Sequence, residues 1–379
     1  MGLNEQDYAD IDASLVAHDA FLKARYPGDR PGRQPVHTVY IPADKLDGFR
    51  DWGDHALDAM RRHDFPWPDD PTVRDKLARE PIEDLRVDFE DGYGVRDDAE
   101  EDAAVRKAAG ILTAGPRPPF LGIRIKSLEA PTRRRSLRTL DLFLDSYGAP
   151  VNVTLPKVSG PDQVSAMVTL CEKIERSYGL STGALTFEIQ IELPSAVLAA
   201  DGSAVVARLI TAAGGRCTGL HYGTYDYSAA AGVAAAYQSM EHPVADYAKA
   251  VMQAAAAQTG VRLSDGSTNI LPVGATAEVH AAWKLHHRLV RRSLENGYYQ
   301  GWDLHPAQLA TRYAATYEFF RDGRDAAVTR LHRYLDRQDS GIADEPATAR
   351  ALAGYLLRGL DCGALDDAGF PREQLTALA

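Results

Sequence analysis

The chain has 379 residues, 45% of them hydrophobic and 25% charged, with a formal net charge of −11. This is an ordinary composition for a globular fold, and the length suits one barrel-sized domain with additions or two ordinary domains. The negative charge argues against a nucleic acid or an anionic membrane held by bulk electrostatics, while leaving room for a local basic pocket around a phosphate-bearing ligand. The three cysteines, Cys171, Cys217 and Cys362, are far apart, odd in number and without CxxC spacing. Neither a zinc site nor a disulfide framework follows from them, and a reduced, cytoplasmic setting is expected. The opening "MGLNEQDYADIDASL" is acidic and has no apolar core, so no secretory leader is expected. No run approaches the ~18 apolar residues of a membrane span.

In chain order, residues 4–25 read as an amphipathic helix, ended by "PGDRPGRQP". Strand-like runs follow at "HTVYIPA", "LRVDFED", "FLGIRIKSL", "VNVTLPKV", "TFEIQIELP", "TGLHYGTYDY", "STNILPV" and "YYQGWDLHP". Helical patterns lie between them, among them "AEEDAAVRKAAGILTA", "PDQVSAMVTLCEKIERSYG" and "ATAEVHAAWKLHHRLVRRSLENG". Strands alternating with helices predict a parallel sheet, and eight is the number that closes a (β/α)8 TIM barrel. The competing fold, an open doubly wound sheet, would carry a glycine-rich phosphate loop after its first strand, and "YIPADKLDG" is not one. Beyond Gln308 the pattern is helical through "LATRYAATYEFFRDG", "DAAVTRLHRYLDRQ" and "PATARALAGYLLRGL". The expected organisation is an N-terminal helical extension at 1–36, a catalytic barrel at 37–310 and a C-terminal helical extension at 311–379.

Several strands place charge at their carboxyl ends. In "LRVDFEDGYG", Leu85, Val87 and Phe89 alternate with Arg86, Asp88 and Glu90, and Asp91 follows. Ile123 and Ile125 oppose Arg124 and Lys126; "VTLPKV" ends on Lys157; Glu188, Gln190 and Glu192 share one face of "TFEIQIELP"; Asp226 follows "HYGTY". Each charge alone reads as a solvated loop residue or a structural ion pair. Their recurrence at one place in the repeat points to the barrel mouth, where barrel enzymes carry their sites.

Glu192 and Asp226 are hard oxygen ligands on successive strands, and two carboxylates plus waters suit Mg²⁺. Arg124 offers a planar fork to a carboxylate or a developing enolate. Lys157 either adds positive charge to the site or pairs with a neighbouring acid. Glu90 and Asp91 hold metal-bound water or orient Arg124. A metal and an arginine around an enolate form a coherent arrangement for making or breaking a carbon–carbon bond beside a carbonyl. Among the histidines, His280, His286 and His287 read as solvated on a surface helix, and His221 reads as buried and hydrogen-bonded or catalytic. His305 and Gln308, in "GWDLHPAQ", either border the mouth as substrate binders or cap the next helix.

These motifs, from His37 to about Leu357, resemble the HpcH/HpaI aldolase and citrate lyase β-subunit superfamily, which includes malyl-CoA and citramalyl-CoA lyases. "VYIPADK" is similar to its opening strand, "VDFEDGYGVRDD" to its acidic strand, "GIRIKS" to its arginine strand and "TLPKV" to its lysine strand. "IELPSAV" and "YGTYDYSAAAG" resemble its metal-ligand strands, and "GWDLHPAQ" its "IHPxQ" signature. The resemblance implies a Mg²⁺-dependent barrel working through an enolate, with Glu192 and Asp226 as metal ligands and Arg124 as substrate binder. It also matches Asp344, in "SGIADEPATARALAGYLL", to an aspartate acting on a neighbouring subunit's site, which would make the protein a homo-oligomer; capping the helix that starts at Pro346 is the other reading of Asp344. The expected function is a carbon–carbon lyase or aldolase acting on a hydroxy acid, a 2-oxo acid or its CoA thioester. The alternatives are a metal-dependent hydrolase or phosphoryl-transfer enzyme, and a non-catalytic binding barrel.

Overall fold

The computed structural model describes residues 2–336 and 345–379. Eight parallel strands form its centre: β1 His37–Pro42, β2 Asp84–Asp88, β3 Phe120–Arg124, β4 Asn152–Leu155, β5 Thr186–Ile191, β6 Cys217–Tyr222, β7 Arg262–Ser264 and β8 Gly301–Asp303. They pair in the order β7-β6-β5-β4-β3-β2-β1-β8. A parallel bridge between Ser264 and Gln300 closes the circle, supported by Asp265 N–H to Gln300 O at 2.8 Å and Trp302 N–H to Gly266 O at 3.1 Å. The fold is a (β/α)8 barrel.

Alternation builds it. Leu85 and Val87 of β2 with Phe89 just beyond it, and Phe187, Ile189 and Ile191 of β5, are fully buried against the surrounding helices. The alternate residues point inward and are buried too: Arg86, Asp88, Glu188 and Gln190 are at most 3% exposed. The helices carry ordinary start and stop chemistry. Asp97 accepts the Glu100 N–H at 2.8 Å to open the helix Asp98–Thr113, and Gly148, at φ +75°, ends the helix Arg133–Tyr147.

Several expectations change. The seventh strand is Arg262–Ser264, not "STNILPV", which forms the loop that follows it. Three residues between Gly260 and Gly266 show no alternation to read, whereas Ile270 and Val273 look like strand residues but are about half exposed. The helix Glu5–Arg25 forms, capped by Asn4, yet buries none of its residues, so its expected apolar face is not covered. The first two helical patterns after Gln308 join into one helix, Gln308–Leu335. Gly323 lies inside it because Tyr355 packs there: a Cβ at 323 would clash with the Tyr355 hydroxyl, which donates to Phe319 O at 2.6 Å. This helix and Pro346–Asp361 share a second apolar core with the helices Trp52–Arg62 and Pro71–Arg79. Among the described residues no helix is long and apolar enough to cross a membrane.

One ion pair fastens the outer layer to the sheet. Glu175 binds Arg216 through both oxygens at 2.6 and 2.8 Å, and its Oε1 also accepts the Leu185 N–H at 2.9 Å. Arg216 holds the Glu175 carboxyl at about 2, below its ordinary 4.5. A depressed carboxylate contributes stability above its unfolded value and loses it as pH falls through the folded one. Arg216→Met leaves a buried charge unpaired and is expected to cost about 3 kcal/mol at pH 7. Urea unfolding of parent and variant between pH 7 and pH 2 checks both points: the difference should shrink below pH ~4.5 as the carboxyl protonates.

Candidate active site

The inward faces of the strands stack polar layers through the barrel. In the middle layer Arg86 binds both oxygens of Glu188 at 2.9 Å and also contacts Asp84. Glu188 further accepts from Thr154 Oγ1 at 2.5 Å and Asn152 Nδ2 at 3.1 Å, and faces His221 Nε2 at 3.0 Å. Burial works against this carboxylate's charge, but Arg86 and His221 outweigh it and hold Glu188 well below the usual carboxylate range. The other ring nitrogen of His221 accepts from Trp302 Nε1 at 3.1 Å, so the residue is fully committed inside the barrel. This layer serves as a rigid floor.

Arg124 stands on that floor. Asp88 takes one edge of its fork, Nε at 2.7 Å and Nη2 at 2.6 Å, and the Tyr40 ring lies 4.8 Å below the guanidinium carbon. Asp88 is itself fixed by the N–H groups of Glu90 and Gly92, both at 2.9 Å. Burial pulls the Arg124 charge down, while Asp88 and Glu90 more than restore it, so the guanidinium stays ionised. Its Nη1 reaches Glu90 Oε2 at 3.3 Å, which leaves the Nη1 side as the edge nearest the mouth acids.

The mouth gathers residues from four strand ends. The Lys157 ammonium lies 2.6 Å from Asp226, 2.8 Å from Asp91, 3.5 Å from Glu192 and 3.6 Å from Glu90. Its backbone has φ +52°, a conformation that a side-chain-bearing residue rarely adopts, and its N–H donates to Glu192 Oε1 at 2.6 Å. Burial first, then the nearby Asp226 and Glu90 charges, pushes Glu192 up to about 8 against the pull of Lys157. Burial likewise raises Glu90 to about 7, with Arg124 opposing it and Asp91 adding to it. Asp91 moves the other way: burial raises it, but Lys157 prevails and lowers it. Four carboxylates thus converge on one ammonium.

That excess of negative charge, carried by buried Glu90 and Glu192 and by exposed Asp91 and Asp226, is the observation that fits a divalent cation. Among the described residues no group of three or more His, Cys, Asp or Glu side chains is set to hold an ion. Mg²⁺ needs only one or two protein carboxylates, completing its shell with water and substrate oxygens, and the Glu192–Asp226 pair offers hard oxygens only.

Gly223 makes this arrangement possible. A Cβ there would lie 2.5 Å from Glu192 Cβ and 3.1 Å from its Oε2. Gly223→Ala is therefore expected to displace the Glu192 carboxylate and weaken Mg²⁺ binding by about 10-fold or more, a shift within the range of small misplacements at a preorganised site. Titration calorimetry with MgCl2 checks this, and parental affinity in the variant would show that the close approach is not needed.

The remaining candidates fall elsewhere. Lys126 turns from the mouth to Glu101, at 2.7 Å, and to Phe89 O. Gln308 is fully buried and both ends of its amide are used, accepting the N–H of Leu304 and His305 and donating to Thr268 O. His305 is half-buried and accepts the Ala307 N–H through Nδ1 at 3.2 Å; burial, then His55, lowers its pKa. His286 is not solvated: it is 2% exposed, with Asp303 Oδ1 at 3.0 Å and Thr311 Oγ1 at 2.7 Å. Asp344 lies outside the described residues. Sequence reasoning missed Tyr40, Asp84 and Asp303 altogether, and it could have found Tyr40 from its place on the inward face of "HTVYIP".

The family described as a domain of unknown function, DUF6986, matches residues 15–378. No curated protein matches the chain. Malate synthase from Haloferax volcanii, in its magnesium and glyoxylate complex, is similar in structure with a TM-score of 0.55, at 12% identity over 74% of this chain and 75% of that one. Protein CitE from Mycobacterium tuberculosis, in complex with magnesium and acetoacetate, has a TM-score of 0.53, at 16% identity over 86% of this chain and 98% of that one. Its complex with magnesium, acetoacetate and coenzyme A gives 0.54, at 17% identity over 87% and 98%. At these identities the likeness is one of fold, and it agrees with the resemblance of the strand motifs to the HpcH/HpaI and citrate lyase β-subunit superfamily. By the match over nearly its whole length, the chain belongs to the DUF6986 family.

Proposed function

We propose that the chain is a Mg²⁺-dependent carbon–carbon lyase or aldolase acting on a hydroxy acid, a 2-oxo acid or its CoA thioester through an enolate. The carrying observation is the juxtaposition of Arg124, clasped by Asp88, with the Glu90, Lys157, Glu192 and Asp226 cluster at the barrel mouth. The solved structures that share the fold support it, since they hold magnesium with glyoxylate or acetoacetate.

Glu192 and Asp226 hold the metal, which when bound supplies Lewis-acid stabilisation of negative charge on a substrate oxygen. Arg124 presents its Nη1 edge to the substrate carboxylate or enolate oxygen. Because Asp88 and Tyr40 fix the guanidinium beforehand, little reorganisation is needed when charge develops there. Glu90, raised to about 7 and 3.3 Å from that edge, is the group best placed to carry a proton at neutral pH. Lys157 keeps the surrounding carboxylates oriented and partly neutralised. Gln308 fixes the loop that carries His305 after β8.

The test is product analysis. Hydroxy acids of four to six carbons and their CoA thioesters are incubated with the protein and MgCl2, and the products are identified by mass spectrometry. Cleavage into a carbonyl compound and a carboxylic acid or thioester, abolished by EDTA, is the expected result. Hydrolysis without carbon–carbon cleavage, or turnover indifferent to EDTA, would contradict it.

A further inference from the structure

A second cleft lies at the opposite end of the barrel from the mouth. Its volume is about 550 Å³, within the range of small-molecule sites, and it opens between the segment after the first helix, the amino ends of β7 and β8 and the C-terminal helices. Four arginines border it, Arg30, Arg262, Arg358 and Arg372, together with two aspartates, Asp29 and Asp361. Tyr299 and Phe320 form part of its apolar wall.

The arginines are held in place, but not by acids alone. Arg262 opens β7 opposite Gly219 of β6, and its Nη2 donates to Gly32 O at 2.7 Å. Arg30 donates through Nε to Gly260 O at 3.2 Å. Both use carbonyl oxygens, and neither has a carboxylate within ion-pair distance among the described residues. Arg358 reaches Asp29 at 3.2 Å and stacks 4.5 Å over the Tyr299 ring. The other aspartate of the lining, Asp361, is engaged by Arg372 at 2.6 Å. Burial, and then repulsion from Arg30 and Arg358, lowers Arg262 from the ordinary guanidinium value. The chain as a whole carries a net charge of −11, so four arginines around one cleft, facing two aspartates that Arg358 and Arg372 already engage, run against the overall field.

We propose that this cleft is a binding site for a small anion bearing a phosphate group, held by Arg30, Arg262 and Arg358. Guanidinium forks match phosphate oxygens in pairs, and those of Arg30 and Arg262 keep donors that the carbonyls leave unused. The aromatic wall beside Arg358 accommodates the organic part of a phosphate ester. The site is separate from the mouth acids and does not depend on the reaction proposed there.

Titration calorimetry in EDTA, at constant ionic strength, tests it with AMP and with inorganic phosphate as probes. EDTA removes any divalent cation that would draw phosphate to the mouth. The expected result is saturable binding to the parent, unchanged in Glu192→Gln and weakened about 10-fold or more in Arg262→Gln and in Arg30→Gln, the scale of one lost charge-assisted hydrogen bond. Arg262 also ties down the segment at Gly32, so thermal unfolding is recorded for both variants. Arg30 is exposed, and weakened binding in Arg30→Gln at parental melting temperature separates recognition from folding. Tighter binding of AMP than of phosphate identifies an ester as the ligand, and equal binding identifies free phosphate. No binding of either probe to the parent overturns the proposal. So does parental affinity in both arginine variants, or binding that survives them and disappears in Arg124→Lys.

Discussion

Replacing Arg124 by lysine lowers kcat/KM by about 10²-fold or more, the scale of one lost transition-state donor at a preorganised site. Lysine keeps the charge but cannot reproduce the planar fork. Asp88 grips Nε and Nη2 together, and this two-point hold aims Nη1 toward Glu90 and the substrate. An ammonium at the end of a flexible stem satisfies Asp88 or the substrate, but not both in fixed geometry. The Tyr40 ring, 4.8 Å from the guanidinium carbon, also loses its flat partner. Steady-state kinetics on the substrate found by product analysis measures the effect. Arg124→Met should be worse still and less stable, because it leaves the buried Asp88 carboxylate without its counter-charge. Parental kcat/KM in the lysine variant would show that the fork takes no part.

Glu192→Gln and Asp226→Asn should each weaken Mg²⁺ binding by about 10²-fold or more and take turnover with it. Each substitution replaces a carboxylate by a neutral amide of the same shape, in a proposed site with two protein ligands. Glu192 is the more buried of the two at 1% exposed, and its neighbours already press its carboxyl toward neutrality. Its amide variant should therefore fold at least as well as the parent while losing the metal. Calorimetry with MgCl2, together with thermal unfolding, separates the two effects. Unchanged affinity in both variants would remove these residues from the metal site.

Where strands were long and one-sided, the sequence made the architecture legible. Leu85, Val87 and Phe89, and Phe187, Ile189 and Ile191, alternate cleanly, so the inward faces that build the site could be read from them. β7 could not: three residues give no period, and the apolar run after it belongs to a loop. The partnerships inside the barrel were beyond reach for a different reason. Arg86 and Glu188 are 102 positions apart, and nothing local in either strand says that one neutralises the other. His286 was legible and misread. With Val279, Ala282, Trp283 and Val290 it follows the three- and four-residue spacing of the buried face of the helix Thr276–Glu295, which is where the structure places it, against Asp303. Lys157 shows the limit most plainly. Its charge was visible, but its left-handed backbone and the convergence of acids from three other strand ends upon it are products of the closed barrel.

The measurement that bears most directly on the proposed site is a crystal structure of the protein grown with MgCl2 and oxalate, a mimic of the pyruvate enolate. The account predicts one metal ion bound to Glu192 and Asp226, oxalate completing its coordination with an oxygen toward Arg124 Nη1, and the Lys157 ammonium moved off at least one of the two carboxylates. Metal and oxalate bound away from the mouth, or a Lys157 ammonium still seated between Glu192 and Asp226 at saturating magnesium, would contradict it.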